Sequence, residues 1–181
     1  MGDRFGAVPV SLPLLWEQVE HRCQTTLADH SFWPCSAGCD DCCRKLAEVP
    51  RFTRSEWIEL RAAIVALEVE ARAAVSDKVA ALALRTAHGQ VGPVVCPLLD
   101  AARGMCRVYA ARPLACRTYG FYADGADGKH CDKVSQAVAA HPEAAIVWGH
   151  EPAIFRQAEK DLGTVQTLID WWPTLYEEDA P

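Results

Sequence analysis

Four cysteines lie within one short segment of the chain, where residues 35–43 read Cys-Ser-Ala-Gly-Cys-Asp-Asp-Cys-Cys. Gly38 and the Asp40-Asp41 pair are typical of turns, so the segment is predicted to be a loop. Cysteines three or four residues apart in a tight turn can direct their thiols to one point, as in zinc and iron–sulfur sites. The spacing therefore predicts a bound metal ion or metal–sulfur cluster.

Further cysteines follow later in the sequence. Residues 94–99 and 105–109 have the composition of two short strands, joined by a loop of hairpin length that contains glycine. Side-chain alternation along these strands would bring the thiols of Cys96 and Cys106 side by side. Pro113 is predicted to begin a short helix with Cys116 in its first turn, where amide donors and the helix dipole stabilise a thiolate. Cys131 opens another predicted helix.

Thiolates bind zinc, iron–sulfur clusters and Cu(I), whereas Ca²⁺ and Mg²⁺ prefer oxygen ligands. Four cysteines saturate one tetrahedral zinc ion or one [4Fe-4S] cluster, and this chain offers more than four. The surplus is compatible with one cluster and a spare redox thiol, with two metals that share ligands, or with an open coordination position. The sequence leaves these alternatives open.

Composition excludes several other classes of protein. The net charge of −6 and the pI near 5.5 argue against binding to nucleic acid or to an anionic membrane, because both need surplus Lys and Arg. The amino terminus does not resemble an export signal, and no window has the 18 or so apolar residues of a membrane span. We therefore expect a cytoplasmic protein. The nine cysteines are odd in number and would stay reduced in the cytosol, which argues against disulfides.

The evidence for catalytic motifs in the sequence is weaker than the evidence for a metal site. The spacing Cys35-x₃-Cys39-x₂-Cys42 matches that of radical-SAM enzymes, but Asp41 stands where those enzymes usually have an aromatic residue, and the chain is short for their barrel. Gly-rich phosphate loops and the common hydrolase motifs are absent from the sequence. Among the scattered histidines, His130 is the one most worth testing as a further ligand, because it precedes Cys131.

The elements that must position these cysteines are mainly helical. Apolar residues spaced by three and four predict an amphipathic helix over residues 9–30, in which Cys23 is a core residue and not a ligand. Thr53 and Glu56 form the pattern of a capping box at the start of a long helical insert, residues 54–88, which Ser76-Asp77 is expected to divide. We expect a mainly α fold with a small β-hairpin (α+β), forming one metal-centred domain over residues 1–181 with its metal-site core at 31–135.

Basic residues follow several of the cysteines directly. Arg44 and Lys45 come after Cys43, Arg107 after Cys106 and Arg117 after Cys116. In a chain with more acids than bases, these cations could offset the charge of buried thiolates. Ordinary solvent exposure explains them equally well.

Three separated blocks together resemble the YkgJ-like cysteine-cluster family, which has a zinc- or iron-chelating CxxCxxCC domain. The blocks are residues 35–43, then Cys96-Pro-Leu-Leu, then residues 106–119, which include Arg112-Pro113 and Tyr119. The resemblance spans about residues 35–122. It implies that the cysteines from Cys35 to Cys116 form the chelating site, with Cys131 beside it, and we expect Arg112, Arg117 and Tyr119 to contact the bound centre. The candidate ligands are Cys35, Cys39, Cys42, Cys43, Cys96, Cys106, Cys116 and Cys131.

Three functional interpretations follow from this resemblance. The first is a metal-binding protein that holds an iron–sulfur cluster, [4Fe-4S], or zinc, and acts in redox chemistry, metal handling or support of a partner protein. Some relatives are flagellin lysine methylases that look iron–sulfur dependent, so the second is an iron–sulfur-dependent group-transfer enzyme. The third is a zinc-stapled interaction module, in which the metal only folds the chain. Whether the chain is an enzyme stays open.

Overall fold

The computed structural model describes residues 9–89, 92–124 and 130–177, and the backbone of 127–128. Helices dominate this part of the chain, as the sequence predicts. They are α1 (Leu12–Asp29), α2 (Asp41–Arg44), α3 (Arg54–Val65), α4 (Val69–Ala87), α5 (Leu114–Thr118), α6 (Asp132–Ala140), α7 (Glu151–Asp161) and α8 (Leu168–Trp171), with 3₁₀ turns at Tyr109–Ala111 and Trp172–Thr174. No helix among the described residues is both long and apolar enough to cross a bilayer.

The strands are short and form three small sheets in the described residues. They are β1 (Arg51–Thr53), β2 (Leu99–Asp100), β3 (Met105–Cys106), β4 (Tyr122–Asp124), β5 (Asp127–Gly128), β6 (Gly149–His150) and β7 (Val165–Thr167). Antiparallel pairs join β1 to β7, β2 to β3 and β4 to β5, while β6 lies parallel to β4. The mainly α fold with a small β-hairpin is thus confirmed, and the β1–β7 and β4–β6 pairs are additions that the sequence analysis missed.

The helix α1 follows its predicted amphipathic pattern. Pro13 lies in its first turn, and Leu15, Val19 and Cys23 are buried on one side. Cys23 is therefore a core residue, as expected. Its thiol donates a hydrogen bond to the carbonyl oxygen of Arg117 at 3.5 Å, which fastens α1 to the end of α5.

The helical insert begins as predicted but divides at a different place. Thr53 and Glu56 form the complete capping box at the start of α3. The expected break at Ser76-Asp77 is wrong, because the break lies at residues 66–68 and α4 runs through both residues. The Arg72 guanidinium donates to the carbonyl oxygens of Val65 and Leu67 at 2.5 and 3.3 Å, so it satisfies acceptors that the end of α3 leaves open.

The predicted hairpin exists but is shorter than the sequence suggested. Only Leu99–Asp100 and Met105–Cys106 pair, and Cys96 precedes the first strand in a turn that its carbonyl closes with the N–H of Leu99 at 3.1 Å. The predicted strand at Cys96 is therefore wrong, so alternation does not position its thiol, although Cys96 and Cys106 line the same cavity. Val94 instead pairs with Leu46, which ties the segment after the first cysteine group to the second cysteine region.

Two apolar clusters form the interior. The first packs α3, α4 and α8 together, with Trp57, Leu60 and Ile64 at its centre, and it contacts Cys43, Cys96 and Cys106. The second packs α1, α5, α6 and α7 together and contacts Cys35 and Cys131. Residues 35–43, which we call the cysteine loop, therefore run from the second cluster, at Cys35, to the first cluster, at Cys43.

Candidate metal centre

The cysteine loop is folded by turns that its own residues favour. The N–H of Cys39 donates to the carbonyl of Ser36 at 3.1 Å, and Gly38 between them has a φ of +91°, which glycine adopts without strain. The chain then enters α2, one helical turn that carries Cys42 and Cys43. An ion pair of 2.5 Å between Arg44 and Asp40 spans that turn.

Backbone pairing brings the second cysteine region to this turn. The N–H of Cys96 donates to the carbonyl oxygen of Cys43 at 2.8 Å, directly after the Leu46–Val94 bridge. The thiols of Cys42 and Cys96 lie close enough to the Cys43 thiol to shift its pKa. Cys106 follows in β3, opposite Leu99. Residues more than 50 positions apart in sequence thus place their sulfur atoms in one region.

The helix α5 brings Cys116 to the same region, and Glu56 positions this helix. One oxygen of the buried Glu56 carboxylate completes the capping box of α3 with Thr53. The other accepts a hydrogen bond of 2.6 Å from the N–H of Leu114 at the start of α5. Two helix starts therefore share one buried carboxylate. The capping-box pattern predicts the first role of Glu56, whereas the second depends on a distant contact that no local pattern indicates.

Cys35 and Cys131 approach the loop from the side of the second apolar cluster. Gly120 packs so closely on Cys35 that a β-carbon at this position would lie 2.9 Å from the Cys35 sulfur. Cys131 is the residue before the first turn of α6. Two residues later, Lys133 forms an ion pair of 2.7 Å with Asp41, which holds the start of α6 against the loop.

Adjoining cavities are lined by these thiols. One of about 270 Å³ is lined by Cys35, Cys39, Cys42, Cys116 and Cys131, and also by the core residue Cys23. A second, of about 110 Å³, is lined by Cys39, Cys42, Cys43, Cys96, Cys106 and Cys116. All eight candidate cysteines therefore face one cavity or both, and all nine cysteines of the chain are free thiols.

The other predicted contact residues line the larger cavity. Arg112 lies with its guanidinium carbon 3.5 Å from the centre of the Tyr109 ring. Arg117 also lines this cavity, but its guanidinium is engaged in contacts of its own: it donates to the carbonyls of Arg112 and Ala110 and stacks on Trp16. Tyr119 borders both thiol-lined cavities.

His130 lies close to the cluster but has partners of its own. Its Nδ1 is 3.1 Å from the Ser135 hydroxyl, and its ring stacks on Trp148. It lines a third cavity together with Cys42 and Cys131. Whether His130 binds metal stays a hypothesis.

Mutual proximity and burial disfavour charged thiols in the metal-free chain. Burial raises the pKa of Cys35 to about 12, and the nearby thiols of Cys131, Cys39 and Cys42 add to the rise. For Cys43 the hydrogen bond with Cys42 lowers the pKa, but the hydrogen bond with Cys96 and burial outweigh it, and the pKa rises to about 12. Such a group of thiols needs bound positive charge to ionise together, which a thiophilic metal supplies.

The thiols surround space and do not converge on a point. Within the described ranges, no three Cys, His, Asp or Glu side chains come together as ligands of a single ion. Sulfur ligands of one tetrahedral zinc lie about 3.8 Å from each other, as Zn–S bonds of about 2.3 Å require. The donor set nevertheless fits a thiophilic metal, since it consists of sulfur and faces cavities.

A comparison with protein families places these residues in a known group. The family model CxxCxxCC, described as "Putative zinc- or iron-chelating domain", matches residues 34–138, which is more than half of the chain. The chain belongs to the CxxCxxCC family. This confirms the resemblance drawn from the three cysteine blocks, and the CxxCxxCC match includes every candidate ligand from Cys35 to Cys131. Comparisons with curated proteins and with solved structures found no match.

Proposed function

We propose that this member of the CxxCxxCC family binds an iron–sulfur cluster through its cysteine thiolates, and that it acts in redox chemistry, metal handling or support of a partner protein. The observation that carries the proposal is the arrangement of eight free thiols, from four separate chain segments, along adjoining cavities. Zinc, held by the same thiolates, is the alternative occupant.

The donor set supports this choice of metal. Sulfur-rich sites select iron–sulfur clusters, zinc and Cu(I) over harder cations. The thiols line cavities and outnumber the ligands of one zinc ion, which favours a cluster of several atoms. When bound, an iron–sulfur cluster supplies one-electron redox chemistry.

The chain's own residues would hold such a centre and balance its charge. Backbone pairing between Cys43 and Cys96 fixes two of the thiols relative to each other, and the Glu56 contact with Leu114 fixes the helix of a third, Cys116. Burial raises the pKa of Cys106 and of Cys116, and the positive charge of Arg112 acts against that rise in both. Its charge would stabilise thiolates in the bound state.

A group-transfer enzyme is the second candidate, and the larger cavity favours it. About 270 Å³ of space next to the thiols has a polar wall that includes Glu20, Arg112 and Tyr119. This volume lies near the lower end of small-molecule sites, so it suits a small substrate. If the chain is such an enzyme, Tyr119→Phe should keep its metal content and lose turnover or substrate binding.

Anaerobic purification followed by metal analysis tests the proposal. The expected protein is brown, with broad visible absorbance and with iron and acid-labile sulfide in equal amounts. A colourless protein that contains zinc would show that the thiolates bind zinc, the alternative occupant, and not an iron–sulfur cluster. A protein that contains none of these and takes up neither metal would contradict the proposed function.

A further inference from the structure

We infer that Trp33 is a positioning residue of the metal centre: its indole N–H donates a hydrogen bond to the sulfur of Cys35 when that sulfur binds metal as a thiolate. The inference rests on the proposed function, because Cys35 is one of the thiols assigned to the metal above. Neither the cysteine spacing nor the family match indicates this role, which follows from the folded chain.

The Trp33 indole is fixed in the interior beside the cysteine loop. Trp33 is 7% exposed and belongs to the second apolar cluster, against which Cys35 also packs. Its backbone N–H donates to the His30 carbonyl at 3.0 Å in the turn that follows α1. The rings of Phe121 and Trp148 lie beside the indole, with ring centres 6.1 and 5.4 Å away. Backbone and ring contacts therefore hold the indole in one place.

The indole N–H has no acceptor within the described part of the chain. The Nε1 atom of Trp33 is buried there without a hydrogen-bond partner. A buried donor without an acceptor destabilises a fold, so native proteins keep few of them. Cys35, two residues later, offers a sulfur atom. Burial and the neighbouring thiols raise the pKa of Cys35, whereas the Trp33 side chain, which lies within reach of the sulfur, acts against that rise.

The bound state supplies the acceptor that this N–H lacks. A thiol sulfur accepts hydrogen bonds weakly, whereas a metal-bound thiolate sulfur carries negative charge and accepts them well. Metal binding to Cys35 therefore strengthens the contact with Trp33, and the energy of this hydrogen bond contributes to metal affinity. Donors to the sulfur atoms also help to set the reduction potential of an iron–sulfur cluster.

The surroundings of Cys35 leave its sulfur open to both partners. Gly120 covers one side, since a β-carbon there would lie 2.9 Å from the sulfur, and the larger cavity opens on another. Trp33 lines neither of the two thiol-lined cavities described above, so it approaches the sulfur from the interior. A metal in the cavity and the indole N–H would therefore contact different sides of Cys35.

Binding of Zn²⁺ to the metal-free full chain, measured by competition with a chelator of known affinity, tests the inference. Trp33→Phe removes the N–H and keeps an aromatic ring, and its Zn²⁺ affinity should fall about tenfold, a typical effect of losing a hydrogen bond to a metal ligand. Trp16→Phe is the matched control and should keep the wild-type affinity. Trp16 packs against the same cluster, and its N–H is also buried without an acceptor among the described residues, but its ring lies under Arg117.

Nuclear magnetic resonance detects the hydrogen bond itself. In the wild-type chain with isotope-labelled indole nitrogens, the Trp33 indole proton is assigned from its absence in Trp33→Phe. It should move downfield when Zn²⁺ binds, because a stronger hydrogen bond deshields the proton. If Trp33→Phe does not fold, replacement of the Trp33 indole by benzothiophene, which has nearly the same shape and no N–H, serves for both the affinity and the assignment.

The contrary outcomes separate the inference from the proposed function. Wild-type Zn²⁺ affinity in Trp33→Phe or in the benzothiophene variant, or a Trp33 indole proton that does not move when Zn²⁺ binds, would overturn the role of Trp33 and leave the metal site in place. An equal loss of affinity in Trp16→Phe would overturn it too, because the effect would not depend on the N–H beside Cys35. A wild-type chain that takes up neither zinc nor iron would contradict the proposed function itself.

Discussion

The Lys133 ammonium lies 2.7 Å from a carboxylate oxygen of Asp41, and this ion pair joins the start of α6 to the cysteine loop. Asp41 precedes Cys42, and Lys133 follows Cys131 by two residues. The pKa of Lys133 is raised, chiefly by the Asp41 carboxylate and further by the nearby thiols of Cys39 and Cys131. The ion pair therefore ties the segments of two candidate ligands together and places a cation beside them.

Replacing Lys133 by Met should affect metal binding more than folding. Both partners are partly exposed, and ion pairs at such positions add little to the free energy of unfolding. The expected result is a melting temperature close to that of the wild type and a several-fold weaker retention of metal against a chelator. Lys160→Met, at an exposed residue near the end of α7, is the control and should change neither. Equal metal retention in both variants would contradict this role of Lys133.

Gly120→Ala should displace the Cys35 thiol. The new β-carbon would lie 2.9 Å from the Cys35 sulfur, and the backbone φ of +86° adds strain of about 1–3 kcal/mol for a residue with a side chain. Metal content measured per chain should fall. Gly89→Ala is the matched control, since its φ is also positive but its β-carbon would meet open space. It should share the loss of stability and keep the metal.

Glu56→Ala should destabilise the fold strongly. The buried carboxylate accepts hydrogen bonds from the Thr53 N–H, the Thr53 hydroxyl and the Leu114 N–H, and its removal leaves buried donors unpaired. We expect a loss of about 3 kcal/mol in the free energy of unfolding by urea. Glu59→Ala, at an exposed position of the same helix, should change it by less than about 0.5 kcal/mol. Similar unfolding midpoints for the two variants would refute the shared capping role.

Arg112→Gln should weaken metal binding without unfolding the chain. Arg112 is the cation near Cys106 and Cys116, and its loss removes charge that stabilises their thiolates. We expect the metal affinity to decrease about tenfold, which is the effect of losing about 1.4 kcal/mol of interaction. Competition with a chelator of known affinity measures it. Arg85→Gln, on the exposed side of α4, is the control, and an equal decrease there would show that the effect is not local.

The sequence predicts local structure well where a short pattern determines it. The capping box of Thr53 and Glu56, the amphipathic α1 and the helical turn at Cys116 each depend on residues within a few positions of one another. The cysteine spacing and order also predict the family. These features need no knowledge of long-range contacts.

Long-range pairing accounts for what the sequence analysis missed. Cys96 lies in a turn because Val94 pairs with Leu46 and not with the hairpin partner that alternation suggested. The helix break lies at residues 66–68, where Arg72 provides hydrogen-bond donors from the next helix. The second role of Glu56 depends on Leu114, 58 positions away. The approach of Gly120 to Cys35 likewise follows only from the folded chain.

The most direct test of the account is the metal content per chain of three proteins purified anaerobically in parallel: the wild type, Cys43→Ser and Cys23→Ser. Cys43 contacts thiols from two segments, whereas Cys23 is a core residue bonded to the Arg117 carbonyl. We predict metal in the wild type and in Cys23→Ser, and a marked loss in Cys43→Ser. Equal metal content in all three, or no metal in the wild type, would contradict the claim that the cysteine cluster binds metal.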